Sequence, residues 1–121
     1  MNIIIADSEE NVVDLTKAGA QVVLNATKKF CAEHKDSPVY KEYKGLEKCL
    51  KSLIAEIKDD KVRAMKLFPL VVAHAKIQEK MEQLPEEEQK DKALCAMYVI
   101  LYTLIEKIYR ECITKATELG Y

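Results

Sequence analysis

At 121 residues the chain has the length of one domain, and with 49% apolar and 32% charged residues it carries too much apolar side chain to stay unfolded. Three Gly and three Pro leave little turn material for an all-β fold. A net charge of −1, with only two arginines (Arg63 and Arg110) among 19 basic residues, offers no field for nucleic acid or an anionic membrane and few guanidinium forks for phosphate.

The opening Met1–Glu10 has no basic stretch, and a run of only three isoleucines (Ile3, Ile4, Ile5) precedes acid, so it does not read as a signal peptide. Asp7-Ser8-Glu9-Glu10 has the form of a capping box. Behind it Val12, Leu15, Gly19, Val22, Ala26 and Phe30 recur at helical steps, predicting a first helix to about His34. Lys35-Asp36-Ser37-Pro38 resets the chain, with Ser37 as cap and Pro38 at the first helical position. Val39, Tyr43, Leu46, Leu50, Leu53 and Ile57 then fall at steps 4-3-4-3-4, the clearest seam in the chain. Gly45 lies beside that seam, where it costs a helix about 1 kcal/mol relative to Ala.

Asp59-Asp60 is expected to end the second helix and cap the third, which continues to about Leu84 and is kinked or split at Pro69. Leu67, Leu70, His74, Ile77, Met81 and Leu84 keep the 3-4 spacing through this segment. Pro85-Glu86-Glu87-Glu88 opens the last helix, expected to run to about Glu118 with Gly120 as its stop, roughly 50 Å in all. Its Ala93–Ile105 stretch is apolar on every side and too short to cross a bilayer. A helix apolar all round is central or contacted twice. The expected architecture is thus an antiparallel bundle of four main helices, a single domain spanning 1–121.

Little here can carry chemistry. Cys31, Cys49, Cys95 and Cys112 show no CxxC pairing and read as buried free thiols of a cytoplasmic protein. Cys31 and His34 share a helix face, but a metal needs a second pair that is missing. Neither histidine has a Glu three residues before it, so a di-iron bundle is excluded. No serine triad or glycine-rich phosphate loop can be assembled. No catalytic residue, metal ligand or cofactor is therefore assigned. Two features remain as partner-binding candidates: the lysines Lys41, Lys44, Lys48 and Lys51 at steps 3-4-3 on the second helix, and Tyr98, Tyr102 and Tyr109 at helical spacing on the last, with Tyr40 and Tyr43 opening the second.

His74 stands on the third helix's apolar seam, where a hydrogen bond to a neighbour is its expected role. In length and helical architecture the chain resembles histidine phosphotransfer domains, which implies phosphorylation of His74. That family's motif places Lys and Gly three and four residues after the histidine; here those positions are Ile77 and Gln78, and the nearest lysine is Lys76. In composition, length and helix count, and in no motif, the chain also resembles small Lys/Glu/Ile-rich helical proteins with which intracellular bacterial pathogens restrain their own effector enzymes. One such group inhibits effectors that deamidate or transglutaminate ubiquitin machinery. The resemblance implies a stoichiometric inhibitor that covers an enzyme surface and does no chemistry; the expected location is the cytoplasm, or a host cytosol into which the chain is delivered. The expected function is accordingly a non-catalytic protein-binding module, homodimeric when free through the last helix or Ile3–Ile5, with no nucleic-acid or membrane partner.

Overall fold

The computed structural model describes residues 12–118 and Gly120. The fold is mostly helical, as the composition demands, with one small antiparallel sheet that the sequence pattern does not announce. In chain order the elements are β1 (Val12–Asp14), α1 (Lys17–Glu33), α2 (Tyr40–Glu56), β2 (Lys61–Arg63), a 3-10 turn (Ala64–Leu67), α3 (Phe68–Gln83), the single-turn α4 (Glu86–Gln89) and α5 (Lys92–Glu118). Helix α1 packs on α2 and α5, and α3 packs on α2 and α5.

The start of the first helix differs from expectation. The capping box at Asp7–Glu10 and the isoleucines at 3–5 lie outside the described residues, and Val12, expected on a helix, sits in β1, where it pairs with Arg63. The helix begins only at Lys17. Thr16 caps it by accepting from the Gly19 amide at 3.2 Å. This shifts the buried stripe to Ala20, Val23, Leu24, Thr27, Phe30 and Cys31, leaving Val22 63% exposed. Buried Thr27 satisfies its hydroxyl by donating to the Val23 carbonyl at 2.7 Å.

Helix α2 starts at Tyr40, two residues later than the Ser37–Pro38 signal implies; Ser37 Oγ accepts from the Val39 amide inside the preceding turn. Its seam packs as the spacing requires, with Val39, Tyr43, Leu46, Leu50, Leu53 and Ile57 all buried. Each such side chain contributes about 1.5–3 kcal/mol by leaving water.

Asp59 and Asp60 do not cap the third helix. Both adopt left-handed backbone (φ 53° and 56°) and form a two-residue turn closed by reciprocal hydrogen bonds between Lys58 and Lys61. The Asp60 carboxylate accepts from the Lys17 amide at 3.0 Å, and its carbonyl accepts from Leu15 at 2.9 Å. The turn thus caps α1 across 43 residues of sequence. Asp59→Gly should raise stability by about 1 kcal/mol by relieving the left-handed backbone. Asp60→Ala should lower it by about 1 kcal/mol through the lost cap, and urea melts of the two variants check the opposite signs.

At the third segment the chain breaks before Pro69: residues 61–63 form a strand and 64–67 a 3-10 turn, and α3 carries Pro69 in its first turn, where its missing amide is harmless. Leu67, Leu70, His74 and Ile77 are buried, and Met81 and Leu84 are half-buried. The last helix also starts later than Pro85 suggests. Pro85 opens only α4; the long helix begins after Asp91, whose Oδ1 accepts from Ala93 at 2.9 Å and Leu94 at 3.1 Å. Helix α5 is therefore 27 residues long, about 40 Å. Beyond it Gly120, at φ 86°, donates its amide to the Thr117 carbonyl.

Candidate protein-binding surfaces

Helix α5 buries Leu94, Met97, Leu101, Leu104, Ile105, Ile108 and Cys112 on one side. Its outer side carries exposed apolar side chains beside polar Thr103, Lys107, Arg110 and Thr114. Val99 is 63% exposed, Tyr102 49%, Tyr109 48% and Ile113 67%. With exposed Cys95 and with Glu106, these positions recur at steps 4-3-4-3-4, a period of 3.5 residues that keeps a seam straight along a partner helix. Glu106 is tied to Arg110 one turn on, so the charge within the stripe is neutralised. Exposed apolar side chains aligned in this way mark a contact surface more often than scattered ones do.

Of the tyrosines singled out in the sequence, Tyr98 and Tyr102 stack at 6.2 Å between centroids and lie against His74 of α3 at 5.9 and 6.3 Å. Tyr109 stands two turns further on, along the outer stripe. Burial raises the Tyr98 phenol, with Tyr102 and Glu82 adding to it. Tyr40 is half-buried, while Tyr43 is fully enclosed against the Phe30 ring at 4.9 Å, so Tyr43 belongs to the core.

His74 is 6% exposed, and burial lowers its affinity for a proton. The expected hydrogen bond is absent at Nε2, which is enclosed without a protein partner; aromatic faces surround the ring instead. The Tyr43 hydroxyl is likewise enclosed and unpartnered, and desolvation pushes its ionisation far above the ordinary phenol range. Tyr43→Phe deletes an unsatisfied polar atom while keeping the ring, and should raise stability by about 1 kcal/mol. A thermal melt at neutral pH reads this directly.

The lysine stripe does not act as one surface. Lys44 and Lys51 reach the same Glu47 carboxylate, at 3.8 and 3.1 Å, on the side of α2 nearest Cys31 of α1. Lys41 and Lys48 face the other way, toward α3. The lysines and the tyrosines therefore do not converge: Lys41 and Lys48 border the α2–α3 cleft, whereas Tyr98 and Tyr102 lie at the α3–α5 seam.

All four cysteines are free thiols, but only Cys31 and Cys112 are buried; Cys49 is half-buried and Cys95 exposed, contrary to the reading of all four as core. Burial raises both enclosed thiols, further raised by Glu47 at Cys31 and by Glu111 at Cys112. His34 ends α1 with its ring on Phe30 at 4.8 Å. Among the described residues no three His, Cys, Asp or Glu side chains gather as a metal site would require. A hollow of about 530 Å³ between the α1–α2 turn and α4 is bounded by both signs of charge, among them Lys35, Asp36, Glu87 and Lys90. No described helix is long and apolar enough to cross a membrane.

Val99 and Ile113 were not singled out by sequence reasoning, which recorded the apolar girth of Ala93–Ile105 without separating its two sides. The 3.5-residue stripe was available as a signal, once the inner face is removed from it. Comparison with protein-family models, with curated proteins and with solved structures finds no match.

Proposed function

We propose that the chain is a non-catalytic protein-binding module that regulates or inhibits a partner protein, an enzyme of the effector class by the resemblance above, and that it forms a homodimer when free. The observation carrying this reading is the outer stripe of α5, where Val99, Tyr102, Tyr109 and Ile113 are each about half exposed or more at heptad steps. A heptad stripe suits another helix of the same kind, which a second copy supplies by symmetry. The packing of α1 on α2, α2 on α3, and both α1 and α3 on α5 supports the antiparallel bundle that presents this stripe. Four free thiols suit a cytoplasmic, reducing setting.

Sedimentation velocity at micromolar concentration tests the reading. The parent chain should sediment as a dimer. The double variant Val99→Glu/Ile113→Glu should be monomeric with unchanged helicity, because both side chains already face water. A parent chain that stays monomeric overturns self-association through α5. Phosphotransfer at His74 is the competing reading, and it requires the enclosed imidazole to emerge from between α3 and α5. Incubation with acetyl phosphate, with His74→Gln as control, decides it: a phosphohistidine lost in the variant would replace the binding reading.

A further inference from the structure

The cleft between α2 and α3 is a second surface, distinct from the α5 stripe. Two hollows of about 470 and 490 Å³ share Cys49 and Pro69 and so form one groove. Along α2 it extends from Lys41 to Glu56, about 22 Å at the helical rise, the length of a four-turn helix. Its floor is small and apolar: Gly45, Cys49, Pro69, Val72 and Ala73. Cys49 donates its thiol across the floor to the Pro69 carbonyl, with sulfur and oxygen 3.9 Å apart.

The rim is basic. Lys41, Lys48, Lys66 and Lys76 line the groove, against Glu42 and Glu56. Among the described residues none of these four lysines enters an ion pair, whereas Lys44 and Lys51, on the other flank of α2, are both bound to Glu47. The two α2 lysines are matched in number by Glu42 and Glu56, so the groove's positive excess comes from Lys66 and Lys76 on the opposite wall. Gly45 adds a second, independent observation. It sits in the interior of α2, a poor place for glycine, yet among the described residues nothing lies within 4 Å of the position a Cβ would occupy. The chain's own packing gives no reason for the missing side chain; an incoming backbone would.

From these features we infer that the α2–α3 groove seats an acidic amphipathic helix of a partner protein. Its apolar ridge lies over Gly45, Cys49, Val72 and Ala73, and its flanking carboxylates meet Lys41, Lys48, Lys66 and Lys76. Helix-in-groove recognition of this kind draws affinity from the apolar anchors and selectivity from the charged margins. The inference rests on the reading of the chain as a binding module, but on a different face.

The test uses a fluorescein-labelled helical peptide of about four turns, with Leu and Ala on one face and Glu on both flanks, and a counterpart with Lys in place of Glu. Anisotropy titration of the full chain should give saturable binding of the acidic peptide, at least about tenfold tighter than the basic one and weakening as salt is added. Lys41→Glu/Lys76→Glu should reverse the preference. Gly45→Leu should abolish binding with helicity retained, since its side chain projects into open groove. Absence of saturable binding by the acidic peptide, equal affinity for both peptides, or undiminished binding to Gly45→Leu overturns the groove assignment. Val99→Glu/Ile113→Glu should bind the peptide normally; loss of binding there would move the peptide to α5 and also overturn it. A monomeric parent that still binds the acidic peptide would sink self-association and leave the groove standing.

Discussion

Leu101→Ala should lower the stability of the fold by about 3 kcal/mol, roughly 12 °C in melting temperature for a chain of this size. Leu101 is fully buried in the middle of α5, on the side that meets the rest of the core. Truncation loses the transfer energy of three carbons and leaves a cavity that rigid helices on either side collapse only in part. Two residues earlier, Val99 is 63% exposed. Val99→Ala should change stability by no more than about 0.5 kcal/mol, while weakening self-association. Paired calorimetric melts and sedimentation of the two variants separate the core of α5 from its outer stripe; equal losses of stability would mean that the stripe is not a free surface.

Below pH 6.5 the fold should lose stability through His74. In the unfolded chain this imidazole takes up a proton around its ordinary value of 6.5. In the folded chain burial among α3 and the Tyr98 and Tyr102 rings holds it neutral to lower pH. Between those two values the unfolded state binds more protons, so stability falls as pH falls, with a slope of at most about 1.4 kcal/mol per pH unit. Above pH 6.5 the contribution is fully present and flat. His74→Phe keeps a ring against the tyrosines and removes the titration. The difference in unfolding free energy between parent and variant, followed by denaturant melts from pH 8 down, should be constant above about pH 6.5 and tilt toward the variant below it. A difference that stays constant throughout would show that His74 is equally accessible to protons in both states.

Local periodicity revealed the helical class and most of the α2 and α3 cores, because the residues of one seam are near neighbours in sequence. Val39 to Ile57 show this best: their spacing alone placed six side chains that the structure buries. What failed was decided by distant partners. Val12-Val13-Asp14 follows acidic residues and reads as a helix start, yet its backbone pairs with Lys61–Arg63, about fifty residues on. Asp60 was read as a local cap and instead caps a helix that precedes it in the chain. At the last helix a local signal was present but outcompeted: Pro85 and three glutamates looked stronger than Asp91, and they open only one turn. The binding surfaces were half legible for the same reason. The 3-4 steps of Lys41, Lys44, Lys48 and Lys51 gave one face of a helix, but only the position of Glu47 and the neighbouring α3 divides that face into a flank tied to Glu47 and one that borders the cleft.

The pairing of β1 with β2 also bears on the order of events expected during folding. It joins Val12 to Arg63 and so encloses both α1 and α2 within a single loop. Closing a ring of that size in a loose chain carries a large entropic penalty, which drops once the two helices have already docked and brought its ends together. The miniature sheet should thus close as a latch after the α1–α2 hairpin assembles. Its backbone amides should gain protection from solvent exchange later than those of Leu46 or Leu50 in a refolding time course.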